Sequence, residues 1–201
     1  MPTIAIDAMG GDFAPGEVVR AAARVSVDSE IRCVLVGDEP GLERALARCP
    51  HRREHLSIVH AGSAIAMGEE PRAAIREKLD CSLLVAAGLV ASGGADAMVS
   101  AGNTGACVLA CARTFRTIPG VRKTALASVF PRKIDEPGQD PLGLLLDVGA
   151  KAHGRSNAKA IANAIKVAAK AVRDDVPGEI GARVAAVSAV ADRPGPPGGA
   201  A

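Results

Sequence analysis

Six short runs rich in β-branched and aliphatic residues punctuate the chain, at positions 3–7, 31–36, 56–60, 97–100, 124–130 and 142–147, each edged by Gly, Asp or Pro nearby. Between most of them lies a stretch of helical length with apolar residues one turn apart, such as Val18, Val19, Ala22 and Val25, or Leu83, Leu84, Ala87 and Val90. Switching between a strand period and a helix period is the mark of alternating strands and helices. Strands joined through helical crossovers run parallel, and their two faces must be covered by those helices. The expected fold is therefore α/β, with a mostly parallel sheet and helices on both faces.

The apolar residues are small. Of 201 residues 48% are hydrophobic, but 40 of them are Ala. A core of this kind rests on close helix packing against Val, Ile and Leu strands, and a chain of this length can build one without disulfide or metal staples. The aromatic residues are Phe13, Phe115 and Phe130, with no Trp or Tyr, which removes the stacking platforms of single-strand nucleic-acid binding. A net charge of +2 supplies no overall footprint for DNA or RNA either. Five scattered cysteines (Cys33, Cys49, Cys81, Cys107 and Cys111) show neither a paired framework nor zinc-ligand spacing, which fits a reducing cytoplasm and no metal. The start MPTIAIDAMGGD lacks a basic region followed by a long apolar run, and no apolar stretch is long enough to span a membrane, so neither a signal peptide nor a transmembrane segment is expected.

A composition break falls at 150/151. Residues 1–150 carry 16 basic and 18 acidic side chains, whereas 151–201 carry 8 and 4 and contain no Leu, Phe, Met or Cys. In the second part Asn157 is placed to cap a long helix reaching about Arg173, a shorter helix is expected after Pro177, and the closing PGPPGGAA reads as a disordered tail from 194 to 201.

In an open α/β sheet, ligands bind outside the carboxyl ends of the strands. Three such places stand out. Asp7-Ala8-Met9-Gly10-Gly11-Asp12 joins the first strand to a helix opened by Pro15; paired glycines suit either a close approach to a ligand or simply a tight turn. Ser100-Ala101-Gly102-Asn103-Thr104-Gly105 precedes and opens a helix reaching about Thr114, and offers free amides and a positive macrodipole end to a phosphate or carboxylate, with plain capping as the alternative. Lys151, His153 and Arg155 cluster around Gly154 at another helix start, where they fit either an anion contact or a surface position. No P-loop and no dinucleotide fingerprint is present, which disfavours a nucleotide-binding domain. Cys107 and Cys111, one turn apart, are expected to face a core; Lys159, Lys166, Lys170 and Arg173 form a solvated helix face; Arg72, Arg76 and Lys78 fit surface pairs with Glu69, Glu70 and Glu77.

IAIDAMGGDFAP at 4–15, the stretch from Met67 through PRAAIREKLDCS, VSAGNTGA at 99–106 and LLLDVGA at 144–150 together resemble the acyl-acyl-carrier-protein:phosphate acyltransferase family of bacterial phospholipid synthesis. The resemblance covers the first 150 residues. It implies a fold similar to that of phosphotransacetylases and of isocitrate and isopropylmalate dehydrogenases, and transfer of a fatty acyl group from acyl-acyl-carrier-protein to inorganic phosphate without a cofactor. It also implies a cytoplasmic homodimer associated peripherally with the membrane. After Ala150 the family's long central region is missing, and KAHGRSNAKAIANAIKVAAKAVRDDVP at 151–177 resembles the family's C-terminal segment. The expected organisation is thus an N-terminal α/β part at 1–150, a directly joined helical segment at 151–193 and a tail at 194–201, with an incomplete second subdomain.

Under that resemblance Ser100, Gly102, Asn103, Thr104 and Gly105 form an anion cradle. Lys151 and His153 act as cationic or proton-donating partners, and Asn103, Lys151 and His153 are the catalytic candidates. Asp7, Gly10, Gly11 and Asp12 shape the facing wall, Arg76 is a further candidate for phosphate or carrier contact, and the Lys159 to Arg173 face is a candidate docking patch for the acidic carrier. The competing reading is a catalytically impaired remnant that partners a full-length subunit, since a site shared between two subdomains cannot close when one is absent.

Overall fold

The short aliphatic runs at 3–7, 56–60 and 97–100 form strands at those positions in the computed structural model, which describes residues 1–121, 127–131, 142–146 and 156–191. Four parallel strands, β1 (Thr3–Asp7), β2 (Arg32–Gly37), β3 (Leu56–His60) and β4 (Ala97–Ser100), lie side by side in the order β3-β2-β1-β4. The chain steps outward from β1 to β3, then returns to lay β4 on the opposite side of β1. That reversal creates a topological switch point between β1 and β4, and the crevice beyond their carboxyl ends is where such sheets hold ligands.

Because side chains alternate along a strand, β1 feeds two cores. Ile4 and Ile6 pack on one face with Val18, Val19, Ala22 and Val25 of α1 (Gly16–Asp28). The same cluster takes in Leu42 of α2 (Glu39–Leu46) and Ile161, Ala162, Ile165 and Ala169 of α6 (Ala158–Arg173). Ala5, with Val34 and Val36 of β2, packs on the other face against Ala86 of α4 (Ser82–Ala91). A third cluster joins α4 to α3 (Pro71–Glu77) and α5 (Thr104–Thr114) through Ile75, Leu83, Ala106 and Ala110.

The expected cap of α6 is present, with Asn157 Oδ1 accepting the Ala160 amide at 3.0 Å. Glu17 of α1 adds a second cap by accepting the Ala158 amide at 2.6 Å, and this bond, helped by Arg20, holds the Glu17 carboxyl below its ordinary range. Burial of Ile161 and Ile165 contributes roughly 1.5–3 kcal/mol each before the entropic cost of ordering the helix.

Two expectations change. The runs expected at 124–130 and 142–147 do not extend the parallel sheet over their described residues; β5 (Ala127–Pro131) and β6 (Leu142–Leu146) pair antiparallel as a separate two-stranded sheet. A strand's residues report its own period and not its neighbour, so direction was not readable. The last helix, α7 (Val176–Ala191), is not shorter than α6: both have 16 residues, and Pro177 sits in the first turn, where its missing amide is tolerated. The expected tail at 194–201 and the 150/151 junction lie outside the described residues. No helix among the described residues is long and apolar enough to cross a membrane.

Candidate active site

Parallel register sets Ser100, the last residue of β4, beside Asp7, the last residue of β1. The Asp7 carboxylate is 4% exposed and gathers three donors. Its Oδ2 accepts the Ser100 hydroxyl at 2.7 Å, while Oδ1 accepts the Ser82 hydroxyl at 2.6 Å and the Met9 amide at 3.3 Å. Ser82 opens α4, so one carboxylate ties together β1, β4 and α4. Such donors are what allow a carboxylate to be buried, since an unpaired buried charge is costly. Ser100 Oγ in turn accepts the Gly102 amide at 3.1 Å.

The two glycine-bearing loops touch over this cluster. A Cβ on Gly10 would stand 2.4 Å from Asp7 Oδ2 and 2.9 Å from the Gly102 nitrogen, and one on Gly102 would stand 3.1 Å from the Gly10 Cα. Gly11 has φ 101°, in the left-handed region. The backbone therefore requires both glycines, one for close approach and one for handedness, and Asp12 is left exposed at the rim.

Asn103 is the N-cap of α5, its Oδ1 accepting the Ala106 amide at 3.1 Å. Its Nδ2 donates to the Met67 and Glu69 carbonyls at 3.3 and 3.0 Å, so the side chain clips segment 64–70 to the start of α5. The amides of Thr104 and Gly105 fall in the first turn, where no intrahelical acceptor exists. Segment 64–70 is fixed further by its acids. Glu69 accepts from Lys78 Nζ at 2.7 Å and from the Ala66 amide at 2.6 Å; Glu70 accepts from the Arg72 and Ala73 amides at 3.0 and 2.7 Å. Lys78 first, then the Ala66 amide, holds the Glu69 carboxyl below its usual range, and the Ala73 and Arg72 amides do the same for Glu70.

Two clefts flank this segment. One of about 300 Å³ lies between Met9, Gly11, Asp12 and residues 64–67. The other, about 390 Å³, lies between α3 and α5 and includes Pro71, Thr104, Gly105, Val108 and Leu109. The structure thus brings together Asp7, Gly10, Gly102 and Ser100 at the switch point, with Gly11 and Asp12 on one cleft and Thr104 and Gly105 on the other. Arg76 stands apart on α3, its side chain 79% exposed and paired with Glu77 at 3.3 Å. Lys151 and His153 lie outside the described residues.

Ser82 was not among the sequence candidates. It sits in the resemblance stretch ending in DCS, but its donation to Asp7 spans 75 positions and leaves no local pattern. The thiols of α5 are half-buried, with Cys107 packed against the α3–α4–α5 cluster as expected, and a hydrogen bond from the Cys107 thiol lowers the Cys111 thiol to about 7 while Cys107 itself is pushed up. Among the described residues no group of three or more His, Cys, Asp or Glu is arranged to hold a metal.

Residues 2–152 match the family model described as fatty acid synthesis protein. The chain is 43% identical over 150 residues to a phosphate acyltransferase of Oleidesulfovibrio alaskensis, an alignment spanning 75% of this chain and 42% of that protein. It is 42% identical over 155 residues to a phosphate acyltransferase of Pseudomonas savastanoi pv. phaseolicola, covering 75% of this chain and 45% of that one. The chain spans less than half the length of the curated relatives it matches. Among solved structures a phosphotransacetylase from Streptococcus pyogenes has a similar fold, with TM-score 0.51 and 19% identity over 66% of this chain and 43% of that chain. The α/β fold is therefore similar to that of this phosphotransacetylase, and with residues 2–152 matched the chain belongs to the fatty acid synthesis protein family.

Proposed function

We propose that this chain carries the phosphate- and acyl-binding part of a phosphate acyltransferase, which moves a fatty acyl group from acyl-acyl-carrier-protein to inorganic phosphate. A phosphate oxygen attacks the thioester carbonyl and forms the new C–O bond. The C–S bond then breaks, and the carrier thiolate leaves and takes up a proton. A thiol with an ordinary pKa near 8.5 leaves readily, so no covalent enzyme nucleophile is needed. The protein's task is alignment and stabilisation of the developing oxyanion.

The observation that carries this reading is the end of α5 at the switch point. The Asn103 side chain takes only the Ala106 amide, which leaves the Thr104 and Gly105 amides and the positive helix end for an anion. Asp7 is unsuited to touch phosphate directly, because its charge is buried and its oxygens are occupied by Ser82, Ser100 and Met9. Its role is to hold the two loops together. Lys151 and His153 are assigned phosphate contact and proton delivery to the leaving thiolate, and Arg76 an outer contact with phosphate or carrier. Homodimerisation and peripheral attachment at the cytoplasmic membrane face belong to the same proposal.

The test is release of carrier thiol from acyl-acyl-carrier-protein with and without inorganic phosphate. Release that requires phosphate and falls with Asn103→Ala or His153→Ala supports the reading; release indifferent to phosphate rejects it. A second reading is favoured by the chain's span of 42–45% of its relatives: a non-catalytic partner of a full-length subunit. It expects no turnover alone and a stable mixed complex with a full-length phosphate acyltransferase in size-exclusion chromatography.

A further inference from the structure

The cleft between α3 and α5 has a polar end and an apolar wall. Thr104 and Gly105 stand at the start of α5, and Val108 and Leu109 follow one turn further along the same ridge, facing Pro71. Arg72 adds a cation at the lip. Glu70 also lines the cleft, with its carboxylate turned onto the Arg72 and Ala73 amides as the cap of α3.

The cleft is also preformed. Asn103 Nδ2 holds the Met67 and Glu69 carbonyls, and Arg113 Nη1 donates to the Ile75 carbonyl at 3.2 Å, so both ends of α3 are fastened to α5. At the floor the helices are in contact through Gly105, where a Cβ would stand 2.7 Å from Pro71 Cγ. Val108 is half-buried and lines this cleft. An open cleft of about 390 Å³ with amide donors at one end and aliphatic walls beyond them fits an amphiphile whose polar atom leads and whose hydrocarbon trails.

We propose that this cleft receives the acyl chain of the thioester, with the carbonyl beside the phosphate held at the Thr104–Gly105 amides and the first carbons of the chain against Pro71, Val108 and Leu109. The assignment rests on the acyl-transfer reading above. It makes Val108 a chain-length determinant.

Binding of non-hydrolysable acyl-pantetheine analogues of increasing chain length, measured by calorimetry on the intact chain, tests the assignment. Affinity should rise by about fourfold for each methylene that enters the cleft and then level off. Val108→Trp, checked for an unchanged circular dichroism spectrum, should bring the plateau to shorter chains, and a diazirine at the chain terminus should label peptides containing Pro71 or Leu109 in the wild type. Chain-length dependence that is absent, or identical in Val108→Trp, overturns the assignment, as does labelling confined to residues 9–12 and 64–67. Phosphate-dependent turnover is scored separately. Length-dependent binding without turnover rejects acyl transfer and keeps the cleft, whereas turnover with length-independent binding does the reverse.

Discussion

The Ser82 hydroxyl donates to the buried Asp7 carboxylate at 2.6 Å across 75 positions of sequence. Removing it with Ser82→Ala should cost about 1.5–3 kcal/mol, the range for a hydrogen bond to a charged group. The readout is a lower urea midpoint with an unchanged slope. Ser100→Ala should cost a similar amount and also release the Gly102 amide. Since both serines share one acceptor group, the double variant should depart from additivity. Losses below about 0.5 kcal/mol for both single variants would show that Asp7 does not hold the loops.

Two glycines to alanine should move stability in opposite directions. At Gly10 a Cβ meets Asp7 Oδ2 and the Gly102 nitrogen, so Gly10→Ala should cost about 1–3 kcal/mol by overpacking. At Gly88, within α4, nothing lies within 4 Å, and Gly88→Ala should gain about 0.5–1 kcal/mol. Thermal melts of the two variants check this, and equal signs would refute the contact over Asp7.

Glu69 and Glu70 have carboxyls held below the ordinary value of 4.5. A depressed folded value means that their contribution is present above 4.5 and is lost as pH falls below it toward the folded value. Protection factors of residues 64–78, corrected for the intrinsic exchange rate at each pH, should therefore fall through that acid window, with those of β1 and β2 changing less. Glu70→Gln should remove much of the pH dependence at the start of α3. A uniform loss of protection over all the described residues would contradict a local origin.

Cys111 should be the first thiol alkylated by iodoacetamide near neutral pH, its reactivity rising through about pH 7. Cys33, buried and pushed up to about 12, should remain unmodified. Cys107→Ala removes the hydrogen bond that lowers Cys111 and should move its titration upward, read by peptide mass spectrometry. Equal labelling of Cys33 and Cys111 at pH 7.5 would overturn this order.

The sequence disclosed what local periodicity and capping chemistry control. Strands 3–7 and 56–60, the Asn157 cap and the amide-rich start of α5 all follow from residue pattern over one or two turns. It did not disclose which strand lies beside which, and so β5 and β6 pair antiparallel apart from the main sheet. The same boundary runs through the site. Asp7, Gly10 and Gly102 were visible as strand-end residues, but Ser82 and the Asn103 clip to Met67 and Glu69 depend on contacts over tens of positions.

Similarity to the family model stops at residue 152, before α6 begins at Ala158. Yet Ile161, Ala162, Ile165 and Ala169 share one cluster with Ile4, Val18 and Val25, and Glu17 holds the Ala158 amide. The stretch that matches the family model and the stretch that packs as one core are therefore different lengths of the same polypeptide. A chain cut where the likeness ends would keep every strand of the main sheet but strip the apolar flank of α1 and β1, leaving a surface prone to self-association.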